Sequence, residues 1–454
     1  MATIKDKSQG LGKSTTFYSF FASPYNYLGM VARFCAEIIK EYYQASKQVR
    51  SGVVPTLHRG MPYPMARATT NVALRDLSTS LVVEEMYRGT PVIYVDFTDY
   101  DEIAHHSGPE RGESLDAIDG VDGAIRALET AAGQAPRPYR FVVLSDHGQT
   151  LGATFLQRYG KTLGDVIRGL MGGDATVRED ASRAEEFGQT NAFLSELTQV
   201  KGVSGGLARS ALKSQTTDGV VELGASEAAP GDDGGPQAKA STERPDLIAM
   251  ASGNLGLIYF PRLPGRVTLE TLAATYPGLI DGLVAHPGVG ALLIRSQTHG
   301  AIVVGPSGIN FLDEARIEGV DPVAQYGGLA RASLIRLDTL EHSPDVSVFS
   351  LYDPDFDEVA AFEELIGSHG GLGGAQAQPL LLYPSEWTVD EELVGAPAPA
   401  CNLGGVYATP CAQTPITVKG FTPAVTTCSF TVLTWRTSSP GAWKLEPPVF
   451  SIGP

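Results

Sequence analysis

The chain has 454 residues, of which 43% are hydrophobic, with 51 glycines, 30 prolines and a formal net charge of −17. That length suits one large or two ordinary globular domains with long loops, and the acidic balance excludes a general nucleic-acid or anionic-membrane binder. An anionic substrate would need a local positive centre, such as a metal ion.

The N-terminal stretch MATIKDKSQGLGKSTT lacks the uninterrupted apolar core of a signal peptide. GLGKST resembles a phosphate loop, but the motif needs a glycine where Lys7 stands, so that reading is rejected. The following FYSFFASPYNYLGMVARFCAEII carries Pro24, Asn26, Arg33 and Glu37, which marks an amphipathic segment rather than a membrane span. The chain as printed therefore reads as soluble.

Spacing predicts a helix over 27–50, with Val31, Phe34, Ile38 and Tyr42 on one face, and a second over 68–88. PVIYVDF then reads as a buried strand. Leu115, Ile118, Val121, Ile125 and Leu128 predict a helix over 114–132, and RFVVLSDHG a second buried strand. Strand, helix, strand is a βαβ unit. The segment 172–244 loses periodicity and reads as a flexible insertion. Order returns with DLIAMASGNLGLIYF as strand, turn and strand, then a helix over 269–285, strands in ALLIRS, AIVVG and VSVFSLY, and a short helix near 362–365 before GSHGGLGG. From Pro397 the chain is nearly free of charge and rich in Thr, Pro and Cys. A small β appendage, a poorly ordered tail or an altered reading frame all give such a change. The expected organisation is a helical region over 1–90, an α/β domain over 91–396 with a mostly parallel sheet flanked by helices, and a tail over 397–454. Of four cysteines, three lie in the tail, and none has the C-x-x-C spacing of a zinc finger or redox motif.

Chemistry concentrates where the strands end. In open α/β sheets ligands bind beyond the carboxyl ends of parallel strands. There Asp101 and His105 stand four apart, and Asp146 is followed by His147. Carboxylate and imidazole are ligands for zinc or manganese, and two such pairs can hold two cations that grip a phosphoryl group. Gly108-Pro109 suits a sharp turn, Gly148 a close backbone approach, and His369 projects from a glycine-rich loop. Each cluster alone has a plain alternative, such as a helix cap; their joint presence favours a metal site. His106 reads as a support outside the ligands or as exposed. His58, His286, His299 and His342 read as isolated.

YDEIAHHSGP resembles the D-x-x-x-H-x-x-G-P element of the type I phosphodiesterase/nucleotide pyrophosphatase family, within the alkaline phosphatase superfamily. LSDHGQ resembles its S-D-H-G element, and SHGG the segment supplying the last histidine. The similarity extends over roughly 15–395 and points to an actinobacterial branch whose longer members carry membrane helices before the catalytic domain. It implies an alkaline-phosphatase-like α/β fold and two divalent metal ions, Zn or Mn. One would be held by Asp101, His105 and His369, the other by Asp146 and His147. It also implies a small phosphoester substrate, no nucleic-acid polymer, and a membrane-embedded partner or upstream segment.

The family's first strand, with its metal-binding Asp and a Thr or Ser nucleophile, has no match here. Thr69 and Thr70 open a helix in the wrong context. The implied chain is N-terminally incomplete, with one central strand left at an open edge. An inactive metal-binding or interaction fragment is the alternative, and a phosphomutase, monoesterase or sulfatase of the same superfamily a weaker one.

Overall fold

The computed structural model describes residues 24–172, 175–180 and 244–384, together with 190–191, 193–195, 198, 216–217, 220–221, 430–434 and 443–444. Most of the 172–244 insertion and of the 397–454 tail, with all of residues 1–23, lies outside the described residues.

Helix α1 (Pro24–Arg50) leads to a short helix α2 (Tyr63–Ala68), which passes through a π-helical turn, Thr69–Leu74, into α3 (Arg75–Arg88). The helix expected over 68–88 is thus interrupted by a widened turn, a feature that commonly accompanies function. The inner side of α1 carries Met30, Val31 and Phe34 against Leu77 and Val72, but also Glu37 and Glu41, with Glu41 fully buried. Tyr42 is exposed. Arg67, also fully buried, pairs with both acids: its Nη2 lies 2.8 Å from Glu37, and its Nη1 meets Glu41. Arg59 adds a third link, with Nε 3.0 Å from Glu41.

Strand β1 (Tyr94–Phe97), helices α4 (Asp99–Ser107) and α5 (Gly112–Ala132) and strand β2 (Phe141–Leu144) form the expected crossover. On α5 the buried stripe is Ser114, Ala117, Val121, Ala124, Leu128 and Ala131, while Leu115 is exposed. The inward face is rotated from the one that large side chains alone suggest, because small residues let α3 and α5 pack closely.

Next come β3 (Thr150–Leu151), β4 (Val177–Asp180), β5 (Leu247–Ser252), β6 (Leu255–Tyr259), β7 (Val289–Ser296), β8 (Gly300–Gly305), β9 (Gly308–Phe311), β10 (Arg316–Gly319) and β11 (Val346–Ser350). They are followed by β12 (Gly367–Ser368), β13 (Leu381–Pro384), β14 (Phe430–Thr434) and β15 (Trp443–Lys444). The larger sheet has the order β10-β9-β8-β7-β11-β6-β5-β4, the smaller β1-β14-β2-β13-β15, and β12 pairs with β3. Both faces of the larger sheet are covered. Leu292, Ile294, Ile302 and Val348 face the helices Leu163–Met171, Leu269–Thr275 and Leu279–Val284. Leu257, Leu293, Val303 and Phe349 face the helix Ala330–Thr339. Double coverage explains the unbroken apolar runs.

The α/β class holds, but the mostly parallel pairing does not. Among the described ladders only β4–β5 is parallel. Tight connections such as Gly253-Asn254 between β5 and β6 force reversal. β1 and β2 do run in the same direction, because each pairs antiparallel with β14 between them. The edge expected to lie open is therefore occupied by a strand from the tail. The helix expected over 269–285 breaks at Tyr276–Gly278, and none forms near 362–365. There the backbone bonds outward instead: Phe362 N donates to Gly253 O at 2.8 Å and Ile366 N to His105 O at 2.9 Å. Among the described residues no helix is long and apolar enough to cross a membrane.

Phe349 is fully buried in the centre of the larger sheet. Phe349→Ala is expected to cost about 3–5 kcal/mol, measured as a lowered urea midpoint with an unchanged slope.

Candidate metal centre

Helix α4 starts one residue after β1's extension, with Asp99, Asp101 and Glu102 in its first turn and His105 and His106 in its last. That charge order suits the helix dipole at both ends. The four-residue spacing places Asp101 and His105 on one face, with Asp101 Oδ2 3.5 Å from His105 Nε2. His106, one step further, turns away and is buried, its ring 4.0 Å from that of Tyr63. It is neither exposed nor part of the cluster. Gly108, at φ +101°, ends the helix and turns the chain toward α5, as its place before Pro109 suggests.

β2 delivers Asp146 and His147 from its carboxyl end. The β3–β12 ladder then pins Gly367–Ser368 beside Thr150–Leu151, which sets His369 over the cluster. His369 Nε2 lies 3.8 Å from Asp101 Oδ1. Asp101, His105 and His369 each offer one donor atom within 4.8 Å of the others. Donors on a tetrahedral zinc ion stand roughly 3.3 Å apart for bonds of about 2.0 Å, so a small contraction would close the set. The His147 and His369 rings stack with centroids 3.6 Å apart, and those of His105 and His369 lie 5.0 Å apart. All five sequence-derived residues are therefore in one neighbourhood.

Hydrogen bonds fix the orientation of two of the imidazoles. His105 Nδ1 lies 2.7 Å from Gly367 O, and His147 Nδ1 2.8 Å from Gly148 O. A carbonyl only accepts, so each Nδ1 carries its hydrogen and each Nε2 turns toward a carboxylate. His147 Nε2 is buried, has no hydrogen-bond partner among the described residues, and lies 3.6 Å from Asp146 Oδ1. A buried orphan nitrogen beside a carboxylate fits a cation. Asp101 is further held by Gln149, whose Nε2 donates to its Oδ1 at 2.5 Å and to its main-chain oxygen at 3.1 Å.

Burial alone would raise the Asp101 carboxyl, but His105, His369 and His147 outweigh it and hold it far below the usual carboxylate range. Burial would lower His105, yet Asp101 pushes it up to about 10. Burial first and the neighbouring His147 next hold His369 well below its ordinary value, against the pull of Asp101. Without a cation, one proton on His105 balances the buried carboxylate.

Thr69 and Thr70 are buried, and their hydroxyls donate to the carbonyls of Met65, Ala66 and Arg67 within the helix. Sequence reasoning missed Gln149's role, although the residue sits in LSDHGQ. It also missed the Arg59, Arg67, Glu37 and Glu41 group, for which the acids on the inner face of α1 were the available signal.

Residues 7–211 match the model of the type I phosphodiesterase / nucleotide pyrophosphatase family. That stretch is similar to the family, and the match supports a phosphoester hydrolase at family level. Four of the five cluster residues fall inside the matched stretch, and His369 falls outside it. No curated protein and no solved structure matches the chain.

A Cβ on Gly148 would lie 2.2 Å from Ala375 O, so the backbone there passes as closely as its position after Asp-His suggests. Gly148→Ala is expected to cost about 1–3 kcal/mol through overpacking, read as a lowered thermal midpoint, with His147 displaced.

Proposed function

We propose that the protein is a metal-dependent phosphoric ester hydrolase of the phosphodiesterase type, built around a two-metal centre. Asp101, His105 and His369 hold one divalent ion, and Asp146 and His147 contribute to the other, with zinc or manganese suited to both. The observation that carries the reading is the convergence of Asp101, His105 and His369 from α4 and from the loop after β12, with donors within 4.8 Å. Bound cations would stabilise the charge of a transferring phosphoryl group and lower the pKa of a coordinated water. The chain's own contribution is orientation. Gly367 O fixes the His105 ring, Gly148 O fixes His147, and Gln149 fixes Asp101. The substrate is a small phosphoester, which suits the half-closed site: the side chain of Asp101 is 22% exposed and that of His369 9%.

A metal-binding protein without turnover is the second reading, favoured by the commitment of the Thr69 and Thr70 hydroxyls to backbone carbonyls. Hydrolysis of bis-p-nitrophenyl phosphate with added zinc or manganese separates the two. Metal-dependent turnover supports the hydrolase; folded, metal-loaded protein without turnover supports the second.

His105→Ala and His369→Ala are each expected to reduce bound metal by at least one equivalent per chain, measured by elemental analysis of the purified variants. Unchanged metal content would overturn the ligand assignment.

Metal binding must also displace the His105 proton. Because that proton is held up to about pH 10, apparent affinity is expected to rise with pH through the neutral range, by up to about tenfold per unit. Competition titrations at pH 6, 7 and 8 check the sign.

A further inference from the structure

After the short strand β12, the chain that carries His369 makes no helix or strand until Ala375. Gly370, Gly373 and Gly374 all have positive φ. Glycine backbone of this kind has wide conformational freedom, so groups outside the loop must fix it before an imidazole can be aimed. Two fully buried carboxamides do so. Asn254, in the turn between β5 and β6, donates from Nδ2 to Leu372 O at 3.0 Å, and its Oδ1 accepts from Gly371 N at 3.1 Å. Gln376 donates from Nε2 to Gly373 O at 2.7 Å and to Leu372 O at 3.3 Å. Gln376 also reaches the other half of the site. Its main-chain oxygen accepts from Gly148 N, one residue after His147, at 3.1 Å. Its main-chain nitrogen donates to Thr150 Oγ1 at 2.9 Å, and that hydroxyl donates to Gly373 O at 3.2 Å. One residue therefore grips both the segment that bears His147 and the loop that bears His369, whose rings stack 3.6 Å apart.

We infer that Gln376 is a positioning residue of the metal centre. With Thr150 it sets the distance between the His369 loop and the segment after β2, and so decides whether His369 joins Asp101 and His105 on one ion. Its side chain is closed to solvent, so it acts on the site only through these bonds. A buried carbonyl that loses its donor is costly. Without the carboxamide, the Leu372 and Gly373 carbonyls turn toward other partners and carry His369 away from Asp101. The inference rests on the assignment of His369 as a metal ligand, and not on turnover.

The test is zinc competition titration, followed by the visible spectrum of the cobalt(II)-loaded protein, which reports ligand number and geometry. Gln376→Met keeps the length of the side chain and removes the donor. It is expected to bind zinc about tenfold more weakly than wild type and to shift the cobalt spectrum toward that of His369→Ala. The double variant Gln376→Met/His369→Ala is expected to match His369→Ala, because a residue that acts through His369 then has nothing left to position. Leu272→Ala opens space on the face of the larger sheet opposite Leu372 and serves as the stability control. It is expected to lower the thermal midpoint and leave zinc affinity and spectrum as in wild type. Should Gln376→Met fail to fold, Thr150→Val, which removes only the hydroxyl between Gln376 N and Gly373 O, takes its place with the same changes in smaller degree. Wild-type affinity and spectrum in the folded variant, or losses that add in the double variant, would overturn the proposal. Unchanged zinc binding in His369→Ala would overturn it together with the ligand assignment.

Discussion

The site depends on one constraint: the Asp101 carboxylate is charged in a place that is mostly closed to water. A buried carboxylate is tolerated only with compensating charge or hydrogen bonds. Here compensation comes from His105 on the same helix, His369 from a distant loop and Gln149 from the segment after β2. Each of these must be held by its own element, so the carboxylate links the crossover unit around β1 and β2 to the later sheet. The same arrangement that a proton on His105 satisfies is suited to a divalent cation.

A second buried ionic group braces the helix that carries Asp101 and His105. Glu37 and Glu41 of α1 neutralise Arg67 and Arg59, and Arg59 reaches Ser107 at the end of α4. Asp99, at the start of α4, pairs with Arg75 of α3 at 2.8 Å. Both ends of α4 are therefore tied to the N-terminal helices by charge-assisted bonds. Such pairs add little net stability, since desolvation offsets attraction, but removal of one partner leaves an uncompensated charge. Their effect is on position: α4 is fixed in register beneath the loop that bears His369.

The larger sheet serves the site indirectly. Its two apolar faces, centred on Leu292 and Phe349, make a rigid body. From that body Gly253 N donates to Glu363 and Asn254 Nδ2 to Leu372 O, which clamps both sides of the glycine-rich loop. The absence of a helix near 362–365 belongs to this arrangement, because backbone groups there bond to Gly253 and His105 rather than to one another.

Much of this was legible in the chain itself. Apolar periodicity marked α1, α5, β1, β2 and the strands from β5 to β8, because burial of one face imposes that spacing on any sequence. The candidate site was nameable too: Asp101 and His105 four apart, Asp146 beside His147, and His369 among glycines are residue types able to ligate a cation. Spacing did not reveal which neighbours each strand would choose. The placement of β14 between β1 and β2, and the antiparallel pairing of most ladders, depend on which edges meet in space. Nor did it reveal that Glu37 and Glu41 face inward, since their burial is permitted only by Arg59 and Arg67 arriving from elsewhere. The sequence by itself determined most of the local elements and the candidate donor residues. Only the tertiary structure decided that a histidine from the loop after β12 would stand 3.8 Å from an aspartate on α4, because that distance is set by packing between segments far apart in the chain.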